Sequence, residues 1–76
     1  MKNKLSYAIG DTVRYNPEDI NDIETGIILS VMFDGSLYYF IDGYWYTSYS
    51  IVGCIEDATE DSLNYIRQII EDEENQ

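Results

Sequence analysis

The chain contains no histidine and a single cysteine, Cys54, so the commonest general base and metal ligand is missing and its own residues cannot build a thiolate zinc site. What remains for acid–base or metal chemistry is carboxylate. Asp11 with Glu24, and Glu56 with Asp57, are the pairs that could bring two carboxyl groups together. With fifteen Asp and Glu in 76 residues, such neighbours arise without any catalytic demand, and a solvated surface is the simpler reading. The run Asp19-Ile20-Asn21-Asp22-Ile23-Glu24 offers oxygen ligands to a hard cation, but Ile23 falls at a ligand position of a calcium loop and no glycine stands at the sixth place. The five glycines are scattered at turns and make no phosphate cradle. Together with the absence of any nucleophile–base spacing, this predicts a protein that is not an enzyme and holds no metal or cofactor.

Cys54 lies in the apolar run Ile51-Val52-Gly53-Cys54-Ile55, which suits a small buried hydrophobe, and a lone cysteine forms no internal disulfide. Lys2 and Lys4 open the chain without a continuous apolar segment or a small-residue cleavage site after them, so no secretion signal is predicted. No stretch approaches the roughly 18 apolar residues of a membrane span. The expectation is a cytoplasmic protein.

Fifteen acids against four Lys and Arg give a net charge of −11, which repels phosphate backbones and anionic membranes. Direct nucleic-acid binding is therefore not expected. The hydrophobic content of 45% is ordinary, so the chain can bury a core despite its charge. Its length fits one domain, 1–76, that buries roughly 60% of the surface of the unfolded chain.

The elements that position these side chains read mainly as β. Thr12 to Tyr15 alternates Val13 and Tyr15 with Thr12 and Arg14, giving a first strand, which Asn16-Pro17-Glu18-Asp19 ends. A polar loop runs to Glu24. From Glu24 to Ser48, three runs rich in β-branched and aromatic residues are separated by Asp34-Gly35 and Asp42-Gly43, and Asp-Gly is the strongest short hairpin signal. After Tyr49-Ser50, Ile51 to Ile55 is a last strand, making five. From Asp57 the period changes: Leu63, Ile66 and Ile70 share one helical stripe with Ile69 beside them, behind Asp57-Ala58-Thr59-Glu60 as a capping box or Thr59 as a later cap. An amphipathic helical segment over 57–72 follows, its first turn beginning between Ala58 and Glu60, and Glu71 to Glu74 at the negative end of its macrodipole predicts a frayed tail over 73–76.

If both turns are two-residue loops, Ile41 faces Tyr44, Phe40 faces Trp45, Phe33 faces Ser36 and Val31 faces Tyr38. One face then carries Ile27, Leu29, Val31, Phe33, Tyr38, Phe40, Trp45 and Thr47 as the interior. The other carries Ile28, Ser30, Met32, Leu37, Tyr39, Ile41, Tyr44 and Tyr46, too apolar for a bare solvent face, so either the helix or a partner must cover it. A three-residue loop at Asp34-Gly35-Ser36 would shift the first pairing and change these assignments.

Gly10-Asp11-Thr12-Val13-Arg14-Tyr15 followed by Gly26-Ile27-Ile28-Leu29-Ser30-Val31 resembles the G-D-x-V-x-x … G-x-I/V-x-x-V pattern of SH3-like small barrels, including the Tudor and KOW kinds. Tyr49-Ser50-Ile51-Val52 sits where such a barrel places its 3₁₀ turn and final strand. The resemblance covers 9–55 and implies a five-stranded antiparallel barrel, followed here by the acidic helix, that acts as a binding module without catalytic activity. In size and acidity the chain is also similar in kind to phage-encoded inhibitors that imitate nucleic acid.

Two functions follow as expectations. The first is an inhibitor that occupies a basic, nucleic-acid-binding surface of another protein, with Glu56, Asp57, Glu60 and Asp61 replacing phosphates, Glu18, Asp19, Asp22 and Glu71 to Glu74 adding charge, and Met32, Tyr39, Tyr44 and Tyr46 as apolar anchor. Tyr49 joins the anchor if the break after Ser48 turns it outward. The second is an SH3-like adaptor that binds a peptide, or a second copy as a homodimer, through the same tyrosines.

Overall fold

A computed structural model describes residues 6–17 and 22–74, without the side chains of 73 and 74. Among these residues six strands and one helix follow one another: β1 Thr12–Tyr15, β2 Glu24–Ile27, β3 Ser30–Phe33, β4 Leu37–Ile41, β5 Tyr44–Thr47, a 3₁₀ turn Ser48–Ser50, β6 Ile51–Glu56 and α1 Glu60–Glu74. The strands form two antiparallel sheets, β2-β1-β6 and β3-β4-β5. Of the polar loop after β1, Glu18 and Asp19 lie outside the described residues, while Asp22 is exposed.

There are six strands rather than five because the run from Glu24 to Phe33 changes partner at Ile28-Leu29. Ile28 still bonds to the β1 side, donating its N–H to the Asp11 carbonyl (3.0 Å) and accepting from the Gly10 N–H (2.8 Å). Leu29 already donates to the Phe40 carbonyl of β4 (2.9 Å). The chain thus leaves one sheet and enters the other within two residues, and the turn drives Ile28 into full burial. The expected outward placement of Ile28 is corrected accordingly.

The two Asp-Gly turns differ. At Asp42-Gly43 both residues have positive φ, 51° and 90°, and Ile41 faces Tyr44 and Phe40 faces Trp45, as a two-residue loop requires. At the first turn the loop takes three residues: Asp34 donates its N–H to the Ser36 carbonyl (3.0 Å), Gly35 has φ +76°, and Phe33 pairs with Leu37. Val31 therefore faces Tyr39, not Tyr38. That one-residue shift corrects the expected faces of β4 and β5. Leu37, Tyr39, Ile41 and Tyr46 share the inner side with Val31, while Tyr38, Phe40, Trp45 and Thr47 are outside with Met32.

The core lies between the two sheets and comprises Val13, Tyr15, Ile28, Tyr39, Ile41, Ile51 and Cys54. The opposite sheet packs on part of the expected tyrosine-rich face, with Tyr15 against Tyr46 and Gly26 against Ile41, while Met32 and Tyr44 of that face stay exposed. Gly26 permits this closeness, because a β-carbon there would stand 2.6 Å from Ile41 Cγ2 and 3.0 Å from Tyr15 Cε1.

The helix starts at Glu60, within the expected Ala58–Glu60 window, and runs to Glu74. Thr59 caps it: its carbonyl accepts the Leu63 N–H, its Oγ1 accepts the Ser62 N–H (3.0 Å), and Ser62 Oγ accepts the Thr59 N–H in return (2.9 Å). Ile66 is buried and Ile69 half-buried, whereas Ile70 is half exposed, so the packed stripe is Leu63, Ile66 and Ile69. Leu63 and Ala58 close on Gly10, where φ is +96° and a β-carbon would come within 3.0 Å of both. Among the described residues no helix is long and apolar enough to cross a membrane.

Candidate interaction surface

Among the described residues, one grouping of reactive side chains is largely internal. Oxygens of Asp11 and Asp57 and the Cys54 sulfur lie within 4.8 Å of one another, a group that could in principle hold a metal ion. Its Asp11 side chain also binds the backbone. Asp11 is buried, its Oδ2 accepts the Ala8 N–H (2.9 Å), and its Oδ1 accepts the Ala58 N–H (2.8 Å). Cys54, fully buried and not in a disulfide, directs its thiol towards Asp57 Oδ1 at 3.7 Å. Three segments, the turn before β1, the end of β6 and the link into α1, are tied at this point. Asp11 does not pair with Glu24, which instead accepts from the Tyr15 hydroxyl (3.3 Å). Burial, reinforced by the charge and hydrogen bond of Glu24, pushes that hydroxyl from 10.0 up to about 12.

The exposed chemistry is of two kinds. The first is an acidic ridge where β6 passes into α1: Glu56, Asp57, Glu60 and Asp61 are all exposed. Glu60 and Asp61 sit in the first helical turn, where the macrodipole favours negative charge. Glu71 and Asp72 lie about three turns further along the same solvent side and are also exposed. No basic residue occupies the last turn, and Arg67, the one cation on the helix, donates from Nη1 to Asn64 Oδ1 (2.9 Å). Their exposure follows from the sequence, because acids beside a helix start are exposed in almost any packing.

The second kind is aromatic, and here the expected anchor is redistributed. Tyr39 is fully buried, its hydroxyl accepting the Tyr7 N–H (3.2 Å) and its ring meeting Tyr7 edge-on at 5.5 Å, so it is removed from the partner surface. Tyr46 is half-buried, with its ring 5.0 Å from that of Tyr15. Tyr44, Tyr49 and Met32 are exposed, at 65%, 99% and 42%. They do not form the single face expected: Met32 is on the outer side of β3-β4-β5, Tyr44 is at the start of β5 on the inner parity, and Tyr49 projects from the 3₁₀ turn. The outer side also carries Tyr38, Phe40 and Trp45, with the Phe40 and Trp45 rings 5.1 Å apart. Sequence reasoning placed these three inside, and only the true loop length at Asp34 could have found them.

An open cleft of about 510 Å³ adjoins the helix, lined by Thr12, Thr25, Gly26, Ile27, Leu29, Asp42 and Tyr65. No family model matches this chain, and no curated protein or solved structure matches it.

Proposed function

We propose that this chain is a non-catalytic, acidic protein-binding domain on an SH3-like scaffold, working in the cytoplasm as an inhibitor that occupies a basic, nucleic-acid-binding surface of another protein. The SH3-like assignment is supported by the sheet orders β2-β1-β6 and β3-β4-β5, the change of sheet at Ile28-Leu29, and the 3₁₀ turn that precedes the last strand. The inhibitor reading is carried by one observation: between Arg14 and Arg67 the chain has no Lys or Arg, and the acids of the β6–α1 ridge stand exposed within this stretch. Such a surface steers a basic partner and presents carboxylates where that partner binds phosphates.

Affinity capture of a partner by the wild-type chain, followed by competition with duplex DNA and with RNA, tests this reading. The expected result is mutually exclusive binding, weakened by high salt and lost when Glu56, Asp57, Glu60 and Asp61 are changed to Lys. Capture that is insensitive to both salt and charge reversal would overturn it. An adaptor that binds a peptide through exposed aromatic rings is the second reading, favoured by the exposure of Tyr44 and Tyr49. There, Tyr44→Ala with Tyr49→Ala removes binding and charge reversal does little.

A further inference from the structure

Among the described residues, the outer side of β3-β4-β5 is an apolar sheet face that is only partly covered, with Met32 and Trp45 exposed and Tyr38 and Phe40 half-buried. Register places Phe40 between Ser30 and Trp45 in one cross-strand row, and Tyr38 between Met32 and Thr47 in the next. Met32 and Trp45 keep 42% and 44% of their surface exposed, and the Phe40 and Trp45 rings meet at a 54° tilt. A sheet face with one side on the core is normally polar on the other. The turn at one end of it carries Asp34, which is exposed, whereas Asp42 at the other end lines the cleft with Thr12, Thr25 and Tyr65. No Lys or Arg lies anywhere in the segment that builds this sheet.

These features specify the occupant. A second copy would bring another net charge of −11 against acidic turns, which opposes association. A guanidinium is suited to the site on both counts. It stacks on aromatic faces, Trp best of all, and its charge is complementary to Asp34 at one end of the face and to the net charge of −11 of the chain. We propose that this face binds an arginine-bearing extended segment of the basic partner, with a guanidinium stacked on the Phe40–Trp45 pair, as the apolar counterpart of the acidic ridge. The inference rests on the acidic-inhibitor reading and adds a second contact with its own chemistry.

Trp45 is the chain's only tryptophan, so it reports occupancy directly. Titration of the full chain at low salt with fluorescein-labelled nona-arginine should give a saturable change in Trp45 emission that parallels the peptide anisotropy. Nona-lysine, of equal charge, should bind at least about threefold more weakly with a smaller emission change, because an ammonium does not stack as a guanidinium does. Met32→Lys should weaken nona-arginine binding about fivefold or more with the far-UV circular dichroism unchanged. Anisotropy that reports binding while Trp45 emission stays constant would place the peptide on the ridge, overturning this inference and leaving the inhibitor reading intact. No binding of either peptide would overturn both. Emission that shifts with protein concentration alone, with a dimer in sedimentation, would assign the face to a second copy and overturn the inference.

Discussion

Asp11 shows how a residue type that could do chemistry is committed to structure. Each of its oxygens holds a backbone N–H from a different segment, so Asp11→Ala would leave two donors without their acceptor at a buried point. Urea denaturation should show a loss of about 2–4 kcal/mol. Asp11→Asn, which keeps one acceptor and turns an N–H towards the other amide, should recover only part of it. Tyr15 supplies a pH signature. Its hydroxyl is held above its unfolded value of 10.0, at about 12, so the neutral form is the one the fold favours. The stabilisation is complete below pH 10 and is lost as pH rises towards 12. Other tyrosines also titrate in that window, so the measurement is the difference between wild type and Tyr15→Phe, whose stability should decline less over the same range.

At the scale of elements, strands, turns and helix are legible in the sequence, and the face of each strand is not. Alternation in Leu37 to Ile41 is symmetrical: Tyr38 and Phe40 are as apolar as Leu37, Tyr39 and Ile41, so composition cannot choose the inner side. The choice is made at Asp34-Gly35-Ser36, where a third loop residue moves the pairing by one and turns Tyr39 inward. The same blindness hid Trp45 as a surface residue and promoted Tyr39 to a contact it cannot make. Replacing each ring separately tests the assignment. Tyr39→Ala should cost about 3–5 kcal/mol and Trp45→Ala no more than about 1.5 kcal/mol, by chemical denaturation. The reverse order would restore the faces that two-residue loops imply. The helix start was legible for the opposite reason, since Thr59 and Ser62 satisfy each other's backbone locally; Thr59→Ala should cost about 1 kcal/mol.

For the whole molecule, charge rather than a pocket carries the functional reading. The acids follow from composition and sit outside because burial would penalise them, so the ridge of Glu56, Asp57, Glu60 and Asp61 was visible from the sequence. The apolar part of the surface was not, because it depends on register. Charge reversal at Asp57 also disturbs its contact with Cys54, and at Glu60 and Asp61 it weakens the helix N-terminus, so the reversed chain is required to keep the wild-type far-UV circular dichroism. Glu60→Gln and Asp61→Asn are the matched controls, expected to cost about 0.3–1 kcal/mol each and to reduce partner affinity without abolishing it. The decisive measurement is the affinity for the captured partner at low and high salt, for the wild type and for the chain with Glu56, Asp57, Glu60 and Asp61 changed to Lys. The account predicts a steep loss of wild-type affinity with salt and no binding by the reversed chain. Equal affinity across all four conditions would contradict it.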